Sequence, residues 1–176
     1  MQQLRNWCAK TILFANLILC TSCKDEITES PVPAGYVRYS CSLLHVNIIM
    51  EQGDPQVPLE SPGGYVRCYD SSKRMAEEGW GTGGLLLVHG FDNDHYYAYD
   101  LACPHCYATY ATSATKLHRL QMDKDGITAI CPDCESKFGS IFWGSPAATS
   151  GPANKENHIL RQYHAGLVGD KLVVTR

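Results

Sequence analysis

Two short cysteine pairs concentrate the chemistry of this sequence. Cys103-Pro104-His105-Cys106 and Cys131-Pro132-Asp133-Cys134 share one spacing and are separated by 24 residues. Two sulfurs from one tight turn and two from another can converge on a common centre with little strain. Zinc takes four such ligands in a tetrahedron, and iron–sulfur clusters are likewise held by thiolates. A lone Cys-x-x-Cys is a weak signal, whereas a matched pair is much stronger. The competing readings are two disulfides or ordinary buried thiols.

The segments around the pairs read as strands. Residues 36–50 alternate, with Val37, Tyr39, Cys41 and Leu43 on one face, and predict a long first strand. Residues 52–64 carry Pro55, Pro58 and Pro62 and predict a loop. Residues 65–69 predict a short strand, and residues 71–78 a helical turn ended by the glycine run at 79–84. That run has no Gly-Lys-Ser/Thr ending and precedes a strand, so it is not a phosphate loop. Leu85–His89 and Tyr96–Asp100 form a hairpin around Asp92-Asn93-Asp94, which lacks the other ligands of a calcium loop. The hairpin runs straight into Cys103. Residues after Cys106 read as a loop ending in a strand at 117–122. A turn at 123–126 and a strand at 127–130 then lead into the second pair. Residues 138–143 are apolar and aromatic, suited to covering a site, and 146–154 form a polar loop. Strands at 160–165 and Lys171–Thr175 are joined by a turn at 166–170. Short strands with turn punctuation predict one all-β domain over residues 36–176, with the two cysteine loops facing each other at its tip.

Composition narrows the function. The chain has 176 residues, 15 basic against 18 acidic, and no basic patch that would suit a nucleic acid. Its first 22 residues have a basic start, Arg5 and Lys10, then a short apolar run at 11–19. That run is too short to span a bilayer and reads as an export signal. Cys20-Thr21-Ser22-Cys23 resembles a bacterial lipobox, with the small Ser22 before the cysteine that would carry lipid. The expectation is a signal peptide at 1–22, a lipid-anchored tether at 23–35 and attachment to a cell-envelope membrane through Cys23. Without residues 1–22 there remain 13 basic and 18 acidic residues, a net charge of −5. Cys41 and Cys68 fall in strand-like runs and read as small buried hydrophobes, with a disulfide between them as the alternative.

The order of parts resembles a Rieske-type domain, which holds a 2Fe-2S cluster between two loops at the tip of an antiparallel β fold. The first loop, AYDLACPHC, is similar to that family's first loop, with Cys103 and His105 at the Cys-x-His positions. The second, CPDCESKFGS, is similar to its second loop, and Cys131, Pro132, Ser136 and Phe138 match. Gly151-Pro152-Ala153 resembles the proline loop over the cluster. The resemblance implies an electron-transfer lipoprotein with a 2Fe-2S cofactor, with Ser136, Phe138 and Pro152 beside it. The departures are specific. Cys134 stands where the second histidine ligand belongs, Glu135 replaces a glycine, and Ala108 and Asp133 occupy the positions of a disulfide found in respiratory members.

Two ligand sets therefore compete: Cys103, His105, Cys131 and Cys134, or Cys103, Cys106, Cys131 and Cys134. An all-thiolate set adds negative charge and lowers a cluster's potential, and Phe138 cannot donate the hydroxyl hydrogen bond of a tyrosine there. Ser136 can still donate to sulfur. The export signal lacks an Arg-Arg pair and suits an unfolded chain, which cannot carry a cluster but can bind zinc outside the cell. The alternative is thus a structural four-cysteine zinc module that works by binding other proteins. A third reading is a thiol–disulfide oxidoreductase, because Cys-Pro-His-Cys is also the active-site tetrapeptide of oxidising thioredoxin-like proteins. It would place Cys103 at a helix N-terminus, but no βαβ pattern accompanies it. No general acid–base constellation is visible; Tyr96, Tyr97 and Tyr99 read as strand residues, and His118, His158 and His164 as exposed. The expectation is a metal-binding or electron-transfer module rather than an enzyme, with basic redox partners if it carries electrons.

Overall fold

Runs of β-branched, leucine and tyrosine residues broken by glycine make an antiparallel fold. The structure, a computed structural model of the chain, describes residues 29–43, 58–92, 95–110 and 117–176. Among these residues lie ten strands: β1 (Val37–Ser42), β2 (Tyr65–Cys68), β3 (Gly79–Trp80), β4 (Leu85–His89), β5 (Tyr96–Asp100), β6 (Gln121–Met122), β7 (Ala129–Ile130), β8 (Lys137–Phe138), β9 (Gln162–Val168) and β10 (Lys171–Thr175). Two short α-helices accompany them, α1 (Pro104–Tyr110) and α2 (Pro152–Lys155), with 3-10 turns at Ser71–Lys73 and Ile141–Trp143. The larger sheet has the order β2-β4-β5-β9-β10-β1-β3 and curls until it is nearly barrel-shaped. A small sheet, β6-β7-β8, carries the second cysteine loop. The expected all-β class holds.

The strand β4 divides two cores. All five of its residues are buried. Leu86 and Val88 join Tyr65, Tyr99 and the cysteines, while Leu85 and Leu87 join Val37, Tyr39, Val66 and Leu172. Period-two alternation sends neighbours to opposite faces, and both faces are covered. Each such leucine stabilises the fold by about 1.5–3 kcal/mol relative to exposure, as an upper bound.

The hairpin β4–β5 forms as expected, with Leu85 opposite Asp100 and His89 opposite Tyr96. It delivers a buried carboxylate to the start of the first cysteine loop. Asp100 accepts the N–H groups of Thr82, Gly83 and Ala102 at 2.7–2.8 Å and the Tyr163 hydroxyl at 2.8 Å. Burial pushes this carboxyl up, and the four donors pull it back. The glycine turn at 81–83 is thereby fastened to the end of β5, three residues before Cys103.

Several segments differ from expectation. The residues after Cys106 form α1 rather than a loop. Proline suits the first helical position because its missing N–H is an orphan there anyway, and the Tyr107 N–H closes on Cys103 O at 2.9 Å. The glycine run does more than stop a turn, since Gly79 and Trp80 pair with Arg38 and Val37 as β3. The strand expected over 117–122 shrinks to β6, plus a bridge from Arg119 to Ala102. The polar loop at 146–154 ends in α2. The strand placed at 160–165 is β9, shifted toward the C-terminus because Gly166 is still paired with Val173. The first strand is described only as far as Leu43. Val32 is buried, and Arg161 donates to Val32 O and Ser30 O at 2.8 and 2.9 Å, so packing begins ahead of residue 36. Cys23 and residues 1–28 lie outside the described residues.

Candidate metal centre

Each cysteine pair is shaped by its own backbone. In the first, Cys103 precedes α1 and Cys106 lies on its first turn; the Cys103 N–H is held by His118 O at 2.9 Å. In the second, the chain leaves β7, turns through residues 132–134 and enters β8. The Cys131 N–H reaches Ser136 O at 3.0 Å, and the Glu135 N–H reaches Cys131 O at 2.9 Å. Glu135 sits at φ 58°, the left-handed conformation for which the resemblance expects glycine.

The two loops meet. Cys103 Sγ is 3.6 Å from Cys134 Sγ, and Cys106 Sγ is 3.7 Å from Cys131 Sγ. All four sulfurs lie within 4.8 Å of one another. Cys103, Cys106 and Cys131 are buried and Cys134 is half-buried. None is in a disulfide; Cys41 and Cys68 are free thiols too, with burial pushing Cys68 up to about 12. Sulfurs around one tetrahedral zinc, with bonds of about 2.3 Å, stand roughly 3.8 Å apart. The four cysteines fit a metal ion.

The electrostatics agree. Cys131 is pulled down to about 5, first by the Cys103 thiol beside it, then by the N–H groups of Cys134 and Asp133 that face its sulfur. Cys103 is pushed up by that same hydrogen bond to Cys131 and by burial, and Cys106 by burial and the neighbouring sulfur charge. Ionising one sulfur makes the next harder to ionise unless a cation arrives.

Ser136 is fully buried, with Oγ 3.2 Å from Cys134 Sγ. Its oxygen accepts both the Cys134 S–H and the Ala153 N–H, the latter at 3.0 Å; with Cys134 as a metal-bound thiolate the hydroxyl proton would point to sulfur instead. Pro152 opens α2, half-buried, and Phe138 is fully buried among the cysteines in the same core. His105 is not among the sulfurs. Its Nδ1 donates to Glu156 Oε2 at 2.7 Å, and His158 Nδ1 lies 3.2 Å from the same oxygen. His118 Nδ1 lies 2.8 Å from Asp133 Oδ2 and, like His158 Nδ1 beside Glu156, makes no hydrogen bond to it. His118 and His158 are half-buried, contrary to expectation, whereas His164 is exposed. His89 is buried with Nδ1 on Leu59 O at 2.8 Å, and Tyr99 is buried with its hydroxyl on Ile141 O at 2.9 Å.

No family model matches the chain, and no curated protein matches it. The residues must speak for themselves, and Glu156 and Asp133 are the ones that sequence reasoning missed. Glu156 meets His105 across 51 positions, a distance that no local spacing in the sequence marks.

Proposed function

We propose that this protein is a metal-stapled β domain in which Cys103, Cys106, Cys131 and Cys134 hold one zinc ion and the surface does the work by binding another protein. The spacing of the sulfurs carries the reading. A two-iron cluster sets two irons and two sulfides between its ligand pairs, so sulfurs on opposite irons stand farther apart than sulfurs sharing one ion. Four thiolates also complete the coordination of zinc, as in structural sites, and leave no open position for a substrate. When bound, zinc supplies charge neutralisation and a cross-link between the two loops.

A second reading, a Rieske-type 2Fe-2S electron carrier, is favoured by the Ser136 hydroxyl beside Cys134 and by its link to Ala153 in the Gly-Pro-Ala segment. One experiment separates the two. Protein purified anaerobically is examined by elemental analysis and visible spectroscopy. The expected result is about one zinc per chain, no acid-labile sulfide and no visible bands. Equal iron and sulfide with visible absorption would replace the first reading with the second.

Kinship with Rieske-type domains, export and lipid anchoring at Cys23 belong to the same proposal. The loop motifs, the apolar run at 11–19 and the Ser22-Cys23 junction support them. Cys23→Ala should move the protein from the membrane to the soluble fraction.

A further inference from the structure

We propose that His105, Glu156 and His158 form a second, open metal site for a divalent cation of the zinc class. Their ligand atoms lie within 4.8 Å of one another. One carboxylate oxygen serves both rings, at 2.7 Å from His105 Nδ1 and 3.2 Å from His158 Nδ1. The second contact is not a hydrogen bond. His158 Nδ1 is shielded from solvent and has no hydrogen-bond partner, although the carboxylate is near. His158 Nδ1 therefore has a lone pair to offer, and a cation would enter by opening the His105–Glu156 hydrogen bond beside it.

The backbone builds the arrangement. Cys106 turns inward on the first turn of α1, while His105 turns toward α2. Asn157 adopts φ 55°, and the His158 N–H closes on Ala153 O at 2.8 Å. That bend brings His158 beside Glu156, next to His105. A plain surface ion pair needs one histidine and no such turn.

The donor set selects the cation. Two imidazoles and a carboxylate suit zinc and its first-row neighbours, whereas magnesium and calcium prefer oxygen. Three protein ligands leave at least one position for water or an outside ligand, as in catalytic rather than structural zinc sites. The proposal does not depend on which ion the four cysteines hold.

Untagged, metal-free protein is titrated with cobalt(II) under reducing, anaerobic conditions. Filling the cysteines gives intense thiolate-to-cobalt absorption; filling the second site does not add to it. The expected wild-type stoichiometry is two cobalt ions per chain. His158→Ala and Glu156→Gln should each bind one, with the thiolate band unchanged. A wild-type stoichiometry of one with a full thiolate band overturns the second site. So does a stoichiometry of two in both variants. Absence of the thiolate band from the wild type would instead overturn the four-cysteine reading and leave the count at the second site to be read by itself.

Discussion

Among the residues of the cysteine cluster, Cys131 differs from Cys103 and Cys106 in how it holds its proton. Cys131 is drawn down by the Cys103 thiol and by the N–H groups of Cys134 and Asp133, so it gives up its proton before Cys103 and Cys106 do. Cys103 and Cys106 are pushed up and remain thiols. A metal binds thiolates, so those two protons must leave on binding. At pH 7, zinc binding should therefore release at least two protons, measurable by calorimetry in buffers of different ionisation enthalpy. Affinity therefore rises with pH and falls on acidification, Cys131 being the last of these three sulfurs to take up its proton. Heats independent of the buffer would refute this. The rival ligand sets also separate at this scale. Cys106→Ser should weaken zinc by more than about 100-fold, since even outer-shell losses cost 10–100-fold. His105→Ala should leave thiolate-to-cobalt absorption in place, because His105 Nδ1 is engaged with Glu156. The opposite pattern would assign the ligand to histidine.

At the scale of elements, the second loop stores strain that the first does not. Glu135 is held at φ 58° so that its N–H can close on Cys131 O. A side chain in this conformation costs about 1–2 kcal/mol, while glycine adds about 0.4–1 kcal/mol of unfolded-state entropy. Glu135→Gly should therefore stabilise the protein by about 0.5–1 kcal/mol in urea denaturation at fixed metal. A destabilised variant would mean that the Glu135 side chain contributes something the backbone does not show. Gly151 is the opposite case. Its φ is 83°, and an added Cβ would lie 2.7 Å from Ser136 Cα, so Gly151→Ala should displace α2 from the loop and lower the thermal midpoint. How readable each element was depends on where its cause lies. The hairpin β4–β5 was legible because its own alternating residues decide it. The convergence of the cysteine loops was legible because ligand spacing is local. Helix α1 was not, since Tyr107, Thr109 and Tyr110 favour strands and the helix starts from Pro104 and the tucked Cys103 carbonyl. Strand β3 was not, because two residues next to glycines show no periodicity. The meeting of His105 with Glu156 was hidden by the 51 positions between them.

At the scale of the whole molecule, the two faces of β4 imply two levels of stability. One core contains the cysteines together with Phe138, Ile141 and Leu160. The other contains Val37, Trp80, Leu172 and Val174 and no residue of the metal centre. The cysteine loops hang on short pieces, β7 and β8 of two residues each and the seven-residue α1. The large sheet is held instead by long ladders, with β10 paired along its length to both β1 and β9. Metal binding free energy is folding free energy only for the parts it joins. Removing the metal with a chelator should therefore open the tip and spare the sheet. In hydrogen exchange, amides of residues 103–110 and 129–138 should lose protection by several orders of magnitude, while those of β4, β5, β9 and β10 hold theirs. The closing contacts explain the boundary: the Cys103 N–H depends on His118 O, and Cys131 on Ser136, whereas the Leu101 N–H is tied to Gly84 O inside the sheet. Uniform loss of protection across both regions would show that the cores unfold together and that the ion holds the entire molecule rather than its tip.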